Sequence, residues 1–205
     1  MIVTNIQIYN LSDKLSYDEI EEKIIKFKES CGYKICSENE HNNCNIVHVI
    51  TDSNNRFVTV FDSDYSFGCA NENKSYIRKL SKALTLPVFS ITNMDNEHVI
   101  IEQYNFNKRV YDYLSIGNMH EKLLELGFNN NECFNNQDIW KDYFVGRNNL
   151  DSIDEVIQDS KNYLDKSYII ENIFKLYGLS SSQSLFSGNI NSIACLVKTL
   201  YFKKV

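Results

Sequence analysis

From Asn45 to Leu114 the chain is cut into short runs rich in Val, Ile, Thr, Phe and Tyr, each closed by residues that favour turns. This punctuation constrains the fold more than any other feature. Runs of this length that follow one another across turns of a few residues pair as antiparallel neighbours, because a parallel pair needs a long crossover. Asn45 to Thr51 and Arg56 to Phe61 flank the turn Asp52-Ser53-Asn54-Asn55, while His98 to Tyr104 and Lys108 to Leu114 flank Asn105-Phe106-Asn107. Pro87 opens the segment PVFSITN, which reads as a buried strand, and Ile2 to Tyr9 and Tyr33 to Cys36 supply two more.

Two helices interrupt this pattern. Ser16 and Glu19 have capping-box spacing, and Ile20, Ile24, Phe27 and Cys31 follow as one apolar stripe. Gly32 can end that helix in a left-handed conformation, and Asp18, Glu19, Glu21 and Glu22 complement the positive end of its dipole. A second helix is expected from an Asn71 cap to about Leu84, with Ile77, Leu80 and Leu84 inward and Arg78, Lys79 and Lys82 toward water. After Gly117 the texture changes to Asn-rich loops and helical runs: Met119 to Leu126, Asp138 to Phe144, Ile153 to Leu164 with Ser152 and Glu155 at capping-box spacing, and Ser167 to Tyr177 ahead of Gly178. The segment from Ile190 to Phe202 fits helix or strand equally. The expected fold is α+β, a mainly antiparallel sheet with two packed helices followed by a helical C-terminal region. Residues 1–117 would form the sheet domain and 118–205 a mostly helical region packed on it, either separately or as one domain with it.

The 205-residue chain is 43% apolar, contains a single proline and carries a formal charge of -6. It has the composition of a folded globular protein, and the negative charge argues against nucleic-acid or anionic-membrane binding while suiting a basic protein partner. The start, MIVTNIQIYNLSDK, lacks the basic and apolar regions of a secretory signal, so a cytoplasmic location is expected. In that setting the six cysteines are expected as reduced thiols that pack as small hydrophobes. The abundance of Asn, Lys, Ile and Tyr fits AT-rich codons of a bacterial genome better than prion-like function.

Candidate chemistry is sparse. In FDSDYSFGCANENKS, Asp62 and Asp64 suggest a cation loop, but counting from Asp62 puts Phe67 and Asn73 at the sixth and twelfth places, where an EF-hand needs Gly and Glu. A magnesium pair at Asp62 and Asp64 is the looser version; the plainer reading is a strand end and a solvated turn. Cys31, Cys36, His41 and Cys44 offer zinc-capable groups at a spacing unlike the common zinc motifs, with Cys31 better explained as the last core residue of the first helix. His48, between Val47 and Val49, reads as a strand histidine that is satisfied or exposed. No G-x-S-x-G turn and no Gly-rich phosphate loop occur, and no cofactor or metal is expected. Phe134, Trp140, Tyr143 and Phe144 form an aromatic group that serves core packing or a binding anchor.

The phrases TNIQI, RFVTVFD, LSKALTLPVFSI and HVIIEQYNFNKRVYDYL, in this order, resemble an uncharacterised family of bacterial cytoplasmic α+β proteins over about residues 4–115, with MDNE at 94–97 where members carry an aspartate-rich start to the hairpin. The resemblance implies a fold and brings no activity. The leading expectation is a non-enzymatic cytosolic protein-binding module, immunity- or antitoxin-like, in which Asp62, Asp64, Asp95 and Glu97, with Trp140 as an aromatic anchor, meet a basic partner. The competing expectation is a hydrolase with a pocket between the sheet and the later helices, using Asp62, Asp64 or His98. Self-association stays open as a third.

Overall fold

The computed structural model describes residues 2–10, 15–38, 44–51, 57–65, 75–94, 98–106, 108–114, 167–177, 179 and 196–205. Among them the strands are β1 (Ile2–Tyr9), β2 (Tyr33–Cys36), β3 (Asn45–Thr51), β4 (Phe57–Asp62), β5 (Val88–Met94), β6 (His98–Asn105), β7 (Lys108–Leu114) and β8 (Leu196–Lys204). The helices are α1 (Tyr17–Ser30), α2 (Tyr76–Leu84) and α3 (Ser167–Leu176). All eight strands join one sheet in the order β2-β8-β3-β4-β1-β5-β6-β7, and every neighbouring pair is antiparallel.

The pleat sorts the sheet into two faces. Ile6 lies opposite Val60 and Ile8 opposite Val58, so these four share a face with Val47, Val49, Val88, Leu200 and Phe202. Against that face pack Ile20, Ile24 and Phe27 of α1 and Ile77, Leu80 and Leu84 of α2, forming the main core. On the reverse face Tyr9, Phe57 and Phe89 gather with Tyr177, which follows α3; the Phe89 and Tyr177 rings stack at 4.4 Å and 21°. Both faces are therefore covered, which explains why β4 is buried at every position instead of alternating.

The local signals of α1 act as expected. Ser16 accepts from the Glu19 N–H while the Glu19 carboxylate accepts from the Ser16 N–H at 2.7 Å, a complete capping box. Gly32 follows the cap at φ 86°. Two details differ. Cys31 is exposed, and Lys28 takes the last inward place on the stripe, four residues beyond Ile24. The cap of α2 is Ser75, whose hydroxyl accepts from the Arg78 N–H at 3.2 Å; Asn71 lies outside the described residues.

Of the C-terminal region expected to be mostly helical, the described residues give α3 and a nine-residue strand, β8. Leu196–Lys204, most of it within the segment that fitted helix or strand equally, is a strand, so the region is not helical there. Within β8, Leu200 and Phe202 turn inward while Thr199 and Tyr201 lie half-exposed on the reverse face. Two strands, β2 and β3, await exactly one such partner between them, and ladder pairing decides what periodicity alone left open. Among the described residues no helix is long and apolar enough to cross a membrane.

Candidate functional site

The densest group of polar chemistry lies inside the layer between the sheet and helices α1 and α2. Asp62 ends β4 on the helix-facing side, directly opposite Val47, and is only 6% exposed. A buried carboxylate needs compensation, and α1 supplies it. Lys28, carried inward by the helical stripe, places its Nζ 2.8 Å from Asp62 Oδ2, with both side chains almost wholly buried. Tyr76 OH donates to the same oxygen at 2.5 Å. Oδ1 accepts from Asn45 Nδ2 at 2.6 Å and from the Asp64 N–H at 3.0 Å. A carboxylate offers about four acceptor positions. All of those on Asp62 are thus occupied from within the protein.

Aromatic rings enclose the ammonium. Its nitrogen is 4.3 Å from the Tyr33 ring centroid, 5.7 Å from that of Phe202 and 6.0 Å from that of Tyr76. Such contacts favour a desolvated cation through the negative faces of the rings. Tyr33 also donates to Asp64 Oδ2 at 2.6 Å; that bond, with burial, pushes its phenol up to about 12. Burial, reinforced by Asp62, raises the Tyr76 phenol well above its ordinary value.

A second carboxylate anchors the other side. Glu102, in β6, is fully buried and accepts from Tyr65 OH at 3.0 Å and Ser75 Oγ at 3.3 Å. Tyr65 stacks on Tyr76 with centroids 4.7 Å apart, joining the two carboxylate clusters through paired rings. Burial and the charge of Glu102 raise the Tyr65 phenol well above its usual range. Ser75 turns the same hydroxyl to the cap of α2, so Glu102 also orients the start of that helix.

This arrangement has clear chemical limits. Tyrosines held protonated far above neutral pH cannot serve as general bases there, and Asp62 has no acceptor position left for a cation. Among the described residues no cluster of three or more His, Cys, Asp or Glu side chains is placed to hold a metal ion. Asp64 remains exposed beside the buried network. Asp95, Glu97, Trp140 and His41 lie outside the described residues, as does the side chain of His98. His48 is half-buried with Nδ1 3.1 Å from Thr199 Oγ1, and desolvation lowers its pKa. Of the four proposed zinc-capable residues, Cys36 and Cys44 do meet, with their sulfurs 3.0 Å apart.

Residue-by-residue reading singled out Asp62 and Asp64 but missed Lys28, Tyr33, Tyr65, Tyr76 and Glu102. Two signals were available. Lys28 falls at helical spacing on the apolar face of α1, and Glu102 directly follows the apolar run Val99-Ile100-Ile101. Comparison with family models, with curated proteins and with solved structures found no match.

Proposed function

We propose that the protein is a non-enzymatic cytoplasmic binding module, immunity- or antitoxin-like, that presents an acidic surface including Asp64 to a basic protein partner. The observation that supports this reading is the complete internal saturation of Asp62. It makes the most chemistry-bearing cluster a device for fixing the chain around Asp64, and function then falls to the surface that this device holds in place. Tyr33 restrains the Asp64 carboxylate, reducing the side-chain entropy lost when a partner binds. The charge of -6 favours encounter with a basic surface.

The test is affinity capture from the host at native expression, followed by titration calorimetry of the purified pair. Asp64→Asn is expected to weaken binding by about 5- to 30-fold, on the order of 1–2 kcal/mol, and to flatten its salt dependence. Unchanged affinity would remove Asp64 from the interface.

A hydrolase with a pocket between the sheet and the C-terminal helices is the second reading. One observation favours it: Gln103 Oε1 is buried with no hydrogen-bond partner among the described residues, while its Nε2 donates to Tyr177 OH at 2.5 Å. Turnover of an ester or amide panel, abolished by Gln103→Leu, would replace the binding reading with this one.

A further inference from the structure

We propose that Cys36 and Cys44 form a reversible redox site, a dithiol that a peroxide converts to a disulfide linking the end of β2 to the residue before β3. The two sulfurs are 3.0 Å apart although the residues stand eight positions apart in sequence. Both side chains are half-buried, so a small oxidant can reach them. A disulfide bond is about 2.05 Å long, which leaves about 1 Å of approach. Cys36 is the last residue of β2, held by its pairing with Tyr201, whereas Cys44 precedes the first ladder residue of β3 and can supply the movement.

The chemistry balances with a hydroperoxide as oxidant. One thiolate attacks the peroxide oxygen and breaks the O–O bond, giving a sulfenic acid and, for hydrogen peroxide, one water after protonation. The second thiolate attacks the sulfenic sulfur, forming the S–S bond and expelling hydroxide as a second water. Two thiols lose two electrons and two protons, and the peroxide gains them. A small dithiol reverses the change by exchange through a mixed disulfide. Reversible pairs of this kind are the form that disulfides usually take in reducing compartments. Cys44 also adjoins Asn45, whose amide holds both Asp62 and Ser63, so the linkage forms beside the network that fixes Asp64.

The experiment is oxidation of the full-length reduced protein with stoichiometric hydrogen peroxide, followed by intact-mass and peptide analysis without reduction. Trypsin keeps both cysteines in the peptide from Ile35 to Arg56, so cleavage after Glu38 or Glu40 is needed to separate them. The expected result is a loss of two hydrogens, fragments joined through Cys36 and Cys44, and full reversal by a dithiol. Cys44→Ser should leave Cys36 as a sulfenic acid that a carbon nucleophile traps, while Cys31→Ser should leave the linkage intact. Independent alkylation of both thiols after oxidation, oxidation past the sulfenic stage, or pairing with another cysteine would overturn the proposal. So would native mass spectrometry showing that the reduced pair retains zinc.

Discussion

Lys28 and Asp62 sit where hydrocarbon side chains would ordinarily be, and the cost of removing one partner is set by what happens to the other. Lys28→Met leaves the Asp62 carboxylate buried with its neutral donors but without its cation. Breaking a pair of this kind costs about 3–5 kcal/mol, measurable as a shift in the urea midpoint at constant slope. Replacing both residues, as in Lys28→Met with Asp62→Leu, removes the stranded charge, so the double variant should be more stable than the sum of the single losses implies, by about 1–3 kcal/mol. Additive losses would show that the two charges do not depend on one another. The tyrosines make a separate prediction. Their phenols titrate higher in the folded protein than the ordinary value of 10.0, with Tyr33 pushed up to about 12. A group whose folded pKa is raised contributes stability in full below its unfolded pKa and loses it as pH climbs through the folded value. Stability should therefore fall as pH rises from about 10 toward 12, and Tyr33→Phe should make that fall shallower. A decline that Tyr33→Phe does not alter would separate the Tyr33 to Asp64 bond from the stability of the fold.

At the scale of elements, α1 gains its start from two side chains that satisfy each other's backbone donors. Ser16→Ala should cost about 1 kcal/mol in equilibrium unfolding, and Glu19→Ala should add little once Ser16 is gone, because the box acts as a unit. A full second loss would mean that Glu19 contributes by another route, such as the helix dipole. This helix was legible because its signals are local: a cap, a stripe and Gly32 lie within one stretch of chain. The antiparallel runs were legible for the same reason, each being marked by its own turns. The cap of α2 was harder, since Asn71 and Ser75 are both good caps and the choice of Ser75 is reinforced by Glu102, far along the chain in β6. The assignment of Cys31 to the core failed because helical spacing admits either residue at the end of the stripe. Lys28 takes the inward place through Asp62, a partner 34 positions away. The site was legible only at Asp62 and Asp64, where carboxylates cluster in sequence; its tyrosines and Glu102 come together only through strand pairing and the packing of α1 and α2 on the sheet.

For the molecule as a whole, the decisive connection is made by β8. It pairs with β2 on one side and β3 on the other, and the Val205 N–H donates to Gly32 O at 2.9 Å beyond the last ladder residue. Lys198 adds an ion pair with Glu21 of α1. Deleting Leu196 to Val205 should leave β2 without its ladder partner, remove Leu200 from opposite Val47, and take Leu200 and Phe202 out of the main core. The expected result is loss of a cooperative thermal transition in circular dichroism, with larger species on size exclusion. A truncated chain that melts cooperatively near the full-length temperature would show that β8 decorates the sheet rather than completing it. The same strand also sets an order of events during synthesis. The ribosome emits β3 about 150 residues before the end of β8, so at ~5–20 residues per second the nascent chain spends roughly 8–30 seconds with the flanks of β2 and β3 open. Vulnerability to wrong pairing is concentrated in that interval, and a cell that translates this chain slowly lengthens it.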